Sequence, residues 1–163
     1  MLRRQYGIIV LAILIIFGIV IYAVFVKQKK HTLEIRDTVS GRVYGKWPLE
    51  ENGEFAIEFI HSVHQSPVRE SFIIEDGMIR PMAVRFVSFG AGMPSELEEG
   101  QTLSWDENAV LVKGFSASYK ELQYIVGTVS DHVLDINGKT VSLRDLCGRN
   151  AHVSIRYFGG NNR

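Results

Sequence analysis

An uninterrupted apolar run near the N-terminus constrains this chain more than any other feature. Ile8 to Val26 comprises 19 residues without a charged side chain, and Ile, Leu, Val and Phe dominate it. As a helix rising about 1.5 Å per residue, the run would span the roughly 30 Å hydrocarbon core of a bilayer. The sequence therefore predicts a membrane anchor over residues 1–30, with a transmembrane helix at about 8–26, and a separate domain over residues 31–163.

A cleaved signal peptide is the alternative interpretation of this run. Signal peptides have a shorter apolar region, about 7–15 residues long, and end in small residues spaced for cleavage. Here residues 22–26 read YAVFV, which offers no such cleavage site and favours an uncleaved anchor. Basic residues flank both ends of the run, so the positive-inside rule does not fix its orientation.

The charge of the remaining chain excludes one class of partner. Five of the 18 lysine and arginine residues lie within residues 1–30, whereas none of the 18 acidic residues does. Residues 31–163 therefore carry 13 basic and 18 acidic side chains. Because nucleic acid selects basic surfaces, we expect no nucleic-acid partner. Cys147 is the single cysteine, so the chain has no internal disulfide.

Residues 31–163 have the pattern of many short strands separated by turns. Asn52-Gly53, Asp76-Gly77 and Asn137-Gly138 are dipeptides typical of tight hairpin turns, and β-favouring residues flank each of them. This spacing predicts a mainly β fold, either an antiparallel β-sandwich or a small β-barrel. The predicted strands are 33–36, 42–48, 55–63, 68–74, 79–89, 109–113, 122–129, 132–136, 139–142 and 151–158.

Prolines, glycines and one capping residue punctuate this pattern. Pro48 and Pro81 lack a backbone donor, so we expect them at sheet edges or bulges. A short helix is predicted at 142–147, with Ser142 as its cap and Gly148 at its end. Residues 90–94 contain two glycines and a proline, which predicts a loop.

The apolar pattern suggests a register for the hairpin formed by the third and fourth predicted strands. A four-residue connection at 64–67 would set Phe59 opposite Phe72. The same register places His61 opposite Glu70, which predicts a His–Glu pair facing an apolar interior. Burying either group without a partner would be costly. The pair is therefore either a structural contact in the core or the polar floor of a ligand pocket.

Metal-binding and catalytic interpretations of this region are weaker. His61 and His64 could bind a metal with Glu70 as a third ligand, but residues three apart in a strand point to opposite faces. Ser62 beside His61 lacks the strand-to-helix turn that presents a serine nucleophile. Residues 90–92 lack the lysine and the following helix of a phosphate-binding loop. We therefore expect no metal, no cofactor, no catalytic residue and no enzymatic activity.

Three segments together resemble a known family. They read FIHSVHQSPVRE at 59–70, SFGAGMP at 88–94 and SDHVLDINGKTVSL at 130–143. They are similar to the family catalogued as domain of unknown function 1850, and the resemblance covers about residues 55–158. Positions that follow the family pattern include the candidate ligand-binding or partner-binding residues, which are His61, Ser62, Glu70, Gly90, Gly92, Pro94 and His132.

The resemblance implies a transport context. Members of this family are often encoded beside tripartite ATP-independent periplasmic transporters of the TAXI subtype, which take up small organic solutes. We therefore expect a non-enzymatic accessory domain on a single-pass cell-membrane protein, with the C-terminal domain outside the cytoplasm. Its expected partners are the lipid bilayer and the transporter permease or solute-binding protein. An independent ligand-binding or hydrolytic domain with a His/Glu-lined pocket is the alternative.

Overall fold

The computed structural model describes residues 15–17, 31–62, 65–87, 97–106 and 108–159. Residues 15–17 are helical, and the rest of the predicted transmembrane helix lies outside the described residues. Within the described part of the chain, no helix has the length and apolar character needed to cross a membrane. Residues 31–163 form a compact unit of their own.

The described part of this unit contains eleven strands and one short helix. Their bounds are β1 Thr32–Asp37, β2 Val43–Pro48, β3 Glu54–Ile60, β4 Pro67–Glu75, β5 Met78–Phe86, β6 Thr102–Asp106, β7 Ala109–Lys113, β8 Glu121–Ile125, β9 His132–Ile136, β10 Lys139–Ser142, α1 Leu143–Cys147 and β11 His152–Phe158. A four-stranded sheet has the order β2-β1-β11-β8, and a seven-stranded sheet has the order β10-β9-β3-β4-β5-β7-β6.

The two sheets share one hydrophobic core. Leu33 and Ile155 of the four-stranded sheet belong to the same buried cluster as Ile57, Ile74 and Leu134 of the seven-stranded sheet. All five side chains are fully buried. On β1, β3, β4, β9 and β11, alternate residues face this core, as the two-residue period of a strand requires. The mainly β prediction is confirmed, and the described strands form two facing sheets with no closed barrel.

Two of the three turn dipeptides close hairpins as predicted. Asp76-Gly77 joins β4 to β5, and Asn137-Gly138 joins β9 to β10, with all four residues at positive φ. Asn52-Gly53 does not close a hairpin, because β2 and β3 belong to different sheets. There the chain crosses from one sheet to the other, and the peptide N–H of Asn52 donates to the carbonyl of Ile74.

The structure confirms the predictions for Pro48, Pro81 and the cap of the short helix, whereas the predicted loop at 90–94 lies outside the described residues. Pro48 ends the edge strand β2, and Pro81 lies where the register between β4 and β5 shifts. The peptide N–H of Asp145 donates to the hydroxyl of Ser142, which caps α1 as predicted. Strand β6 was not predicted. The predicted strands 55–63, 79–89 and 122–129 extend beyond the observed ends of β3, β5 and β8.

The predicted pairing of β3 with β4 is confirmed, but the predicted register is wrong. Phe59 lies opposite Val68 rather than Phe72, and Glu70 lies opposite Ile57. The strands are thus displaced by four residues from the predicted register. Because four is an even number, every apolar side chain keeps its face. The apolar pattern alone therefore fits both registers.

The connection between the two strands explains the displacement. Strand β3 ends at Ile60, so the connection to β4 is longer than the predicted four residues. The peptide N–H of His61 donates to the carbonyl of Ser66, and that of Gln65 donates to the carbonyl of His61. His61 therefore belongs to the turn and does not pair with Glu70 across the strands.

The shared core predicts a large difference between two isoleucines on neighbouring strands. Ile155 on β11 is fully buried, whereas Ile125 on β8 is 55% exposed. We expect Ile155→Ala to lower the free energy of unfolding by about 2–5 kcal/mol, because it leaves a cavity. Ile125→Ala should lower the free energy of unfolding by about 1 kcal/mol or less, because it only replaces an exposed isoleucine by a residue with lower strand propensity. Urea denaturation of both variants measures the difference, and equal losses would contradict the described core.

Candidate functional site

Glu70 lies in an otherwise apolar row of the seven-stranded sheet. On β4 it stands between Ile57 of β3 and Val84 of β5. One strand further out on each side, the row continues with Leu134 and Val112. Ile57, Leu134 and Val112 are almost completely buried. A carboxylate at this position needs a partner, because burying a charge without one is costly.

The partner of Glu70 comes from the opposite sheet. Tyr124 on β8 donates its hydroxyl hydrogen to Oε2 of Glu70 over 2.6 Å. Burial raises the pKa of Glu70, and the hydrogen bond from Tyr124 acts in the opposite direction. Burial and the adjacent carboxylate raise the pKa of Tyr124 far above its usual value. The tyrosine therefore keeps its proton at neutral pH and remains a donor, which ties the two sheets together.

His132 extends this cluster along the sheet. Its ring stacks on Phe59, which lies directly opposite on β3, with ring centroids 5.0 Å apart. The ring centroid of Tyr124 lies 5.8 Å from that of His132. The peptide N–H of Gly127 donates to Nδ1 of His132 over 3.2 Å, so the neutral ring carries its hydrogen on Nε2. Burial lowers the pKa of His132, which favours this neutral form.

The turn before β9 contains Gly127, whose peptide N–H donates to the ring of His132. A Cβ atom at Gly127 would lie 2.1 Å from the carbonyl oxygen of Ser130, closer than any side chain permits. With no Cβ, the turn can bring the peptide N–H of Gly127 onto the ring of His132. The orientation of His132 therefore depends on the backbone of this turn.

Cavities that share lining residues run along the same face. One of about 400 Å³ and one of about 330 Å³ are both lined by Glu70, Val84 and Phe115. We call these two together the Glu70 groove. A third, of about 430 Å³, shares Phe59 and His61 with the 400 Å³ cavity, and we call it the side cavity. Small-molecule sites commonly have volumes of roughly 300–1,000 Å³.

Four of the seven candidate residues line these cavities. Glu70 and His61 line the 400 Å³ cavity together, although they do not pair across the strands. His61, Ser62 and His132 line the side cavity. Ser62 is exposed. The other three candidates lie outside the described residues, and these are Gly90, Gly92 and Pro94.

Sequence reasoning missed Tyr124 and Phe115. Tyr124 alternates with Leu122 and Val126, and this pattern in the sequence places it on an inward face. A buried tyrosine needs a hydrogen-bond partner for its hydroxyl. Glu70 is the inward-facing carboxylate that could meet it. The choice of partner required the sheet topology, because β4 and β8 lie in different sheets. Phe115 precedes β8 in an irregular segment, where no periodicity indicates its direction.

The expectation of no metal remains a prediction. Within the described ranges, no three His, Cys, Asp or Glu side chains are grouped so that they could hold a metal ion. His64 lies outside those ranges.

Comparison with known proteins identifies the family. The family model described as Domain of unknown function (DUF1850) matches residues 55–143, more than half of the chain. The chain belongs to the DUF1850 family. The matched segment of this DUF1850 protein includes Glu70, Tyr124 and His132. No curated protein and no solved structure matches the chain.

The hydrogen bond between the sheets predicts a pH-dependent effect of Tyr124→Phe. The substitution removes the donor that favours the charged carboxylate, so we expect the pKa of Glu70 to rise further. Loss of the donor should cost about 1–3 kcal/mol when Glu70 is ionised. The cost should be smaller near pH 4, below the usual pKa of a glutamate, because the carboxyl is then mostly protonated in both the folded and unfolded states.

Carbon-13 NMR titration of the Glu70 carboxyl and urea denaturation at pH 4 and 7.5 measure these two effects. Tyr44→Phe is the matched control, since it removes a 3.1 Å hydroxyl hydrogen bond to Asp37 elsewhere in the domain. A stability loss for Tyr124→Phe that is equal at both pH values would contradict the coupling to Glu70.

Proposed function

We propose that residues 31–163 bind a small, largely apolar organic ligand in the Glu70 groove, without catalysing a reaction. The observation that carries this proposal is the position of Glu70. Its carboxylate interrupts an apolar row, lines two cavities at once and receives its hydrogen bond from a neutral tyrosine. An apolar residue at this position would cost less folding free energy than a buried carboxylate does. Polar groups kept against local stability are typical of functional sites.

The composition of the groove supports a binding role. Small-molecule sites have mostly apolar walls and a few placed polar groups that orient the ligand. Here Phe59, Phe86 and Phe115 provide aromatic surface in the 400 Å³ cavity. Tyr124 donates its hydroxyl hydrogen to Glu70, and the ring of His132 lies beside the ring of Tyr124. The polar group is therefore held in place before a ligand arrives, which lowers the entropic cost of binding.

The arrangement gives less support to a hydrolytic domain. Ser62, the candidate nucleophile, is exposed at a turn and lines the side cavity. His132 lines the side cavity together with Ser62, whereas Glu70 lines the groove. A nucleophile, a base and an orienting acid should converge on one point. We therefore propose binding rather than catalysis.

The family resemblance supports a transport context for this binding. We propose that the protein is an accessory to a tripartite solute transporter of the TAXI subtype. It would be held in the cell membrane by the predicted helix at 8–26, with its β domain outside the cytoplasm. A groove for small organic molecules suits such a role, because the transporter handles the same class of compound. The permease or the solute-binding protein is the proposed partner.

The groove predicts that a loop phenylalanine matters for binding. We expect NMR screening of the full-length chain, in a nonionic detergent, to find small aromatic compounds that shift signals of Glu70, Val84 and Phe115. Phe115→Ala should weaken their binding about tenfold, because it removes an apolar wall from both cavities. Phe158→Ala is the matched control, since Phe158 is 37% exposed on the other sheet. Equal losses in the two variants would contradict the assignment of the groove.

The transport context predicts a physical complex. Subunits of a tripartite transporter should co-purify with the tagged full-length chain from detergent-solubilised native membranes. A tagged chain limited to residues 1–30 is the control, and it should not retain them, because the proposed contact lies in the β domain. Recovery of the same subunits with both chains would place the contact in the anchor. Their absence from both would contradict the accessory role.

A further inference from the structure

We propose that the ligand of the Glu70 groove is an organic cation, a protonated or quaternary amine on an apolar or aromatic body. This inference rests on the proposed ligand-binding function and names the class of ligand. It is carried by the charges along the groove, by the aromatic residues beside them and by the positions of the nearest arginines.

Apart from His61, the side chains on the described walls of the groove that carry a charge are carboxylates. Glu70 and Glu98 both line the 400 Å³ cavity. Glu98 is exposed, and its side chain accepts a 3.1 Å hydrogen bond from the amide of Gln101. The side chain of Gln101 in turn accepts a 3.0 Å hydrogen bond from the peptide N–H of Glu98. One carboxylate thus lies within the sheet and another near the solvent, along the same cavity.

No lysine or arginine among the described residues lines either cavity of the groove. The basic residue next to Glu70 on β4 is Arg69, and adjacent strand residues point to opposite faces. On that outer face Arg69 forms ion pairs with Glu58 and Asp135. Arg85 lies opposite Arg69 in the register and shares its face.

This distribution of charge selects against anionic ligands. An anion in the groove would meet two carboxylates with no arginine or lysine on the described walls to offset them, and repulsion is strong where water is partly excluded. A cation would form a charge-assisted hydrogen bond or ion pair with Glu70. Burial raises the pKa of Glu70, so an ammonium group would supply the positive charge that favours its ionised form.

Aromatic rings beside the carboxylate favour the same class of ligand. Phe59, Phe86 and Phe115 line the cavity that contains Glu70 and Glu98. A cation within about 6 Å of an aromatic ring face is attracted to the negative face of the ring. The apolar body of such a ligand would pack against Val84, which lines both cavities of the groove. Carboxylate, aromatic and aliphatic surfaces together fit an amine with an apolar substituent.

Three probes with one aromatic body and different charges test this inference. They are 2-phenylethylamine, 2-phenylethanol and 3-phenylpropionate, titrated into the full-length chain in a nonionic detergent and followed by NMR signals of the groove. We expect the amine to bind at least about tenfold more tightly than the alcohol, since both can donate a hydrogen bond to Glu70 but only the ammonium group carries an opposite charge. The propionate should bind most weakly.

Two matched variants identify the source of the preference. Glu70→Gln should reduce the amine-to-alcohol preference to nearly onefold, while its amide oxygen still accepts the hydroxyl hydrogen of Tyr124 and preserves the fold. Glu58→Gln makes the same change on the outer face of the neighbouring strand, where Glu58 pairs with Arg69. It should leave the preference intact. Thermal unfolding of both variants confirms that the folded protein is being compared.

Each contrary result has a distinct meaning. If the alcohol or the propionate binds the groove as tightly as the amine, the cation inference is overturned and the proposed binding function stands. If Glu58→Gln removes the preference as fully as Glu70→Gln, the preference arises from overall charge, and the inference is again overturned. If none of the three probes shifts the groove signals, both the inference and the proposed binding function fail.

Discussion

The unequal width of the two sheets is the constraint on which the candidate site depends. Strands lie about 4.8 Å apart, so the outermost axes of a four-stranded sheet are about 14 Å apart, and those of a seven-stranded sheet are about 29 Å apart. The smaller sheet therefore cannot cover the whole inner face of the larger one. Strand β8 is an edge of the smaller sheet, and it reaches Glu70 through Tyr124. The groove begins where this coverage ends.

The contact between Glu70 and Tyr124 differs in kind from the His–Glu pair that the apolar pattern predicted. An ion pair in the core would make each partner costly to remove. Among the described residues, a neutral hydroxyl is the hydrogen-bond partner of this carboxylate, and burial raises its pKa. Its ionised form is therefore poorly stabilised by the surrounding protein. The same property that makes Glu70 an unfavourable core residue makes it available to a ligand.

Parts of the site were predictable, His61 and Glu70 from the apolar alternation of their predicted strands, and Ser62 and His132 from the family resemblance. Glu70, His61, Ser62 and His132 lie in the segments that resemble the family, and each lines at least one of the three cavities. Tyr124 and Phe115 were not predicted, because they approach from the other sheet and from an irregular segment. The family match over residues 55–143 includes both the predicted site residues and the two that were not predicted. It includes β8, although the other three strands of that sheet lie outside the match.

The sequence by itself determined the mainly β fold, the hairpin turns at Asp76-Gly77 and Asn137-Gly138, the cap of α1 and the face of each apolar side chain on β3 and β4. These depend on neighbouring residues, on positive φ angles and on the two-residue period of a strand. The tertiary structure alone decided the register of β3 with β4 and the partner of Glu70. A shift by an even number of residues preserves every face, so only the length of the connecting turn selects the register. Contacts between sheets join residues that no local pattern relates, and Tyr124 meets Glu70 for that reason.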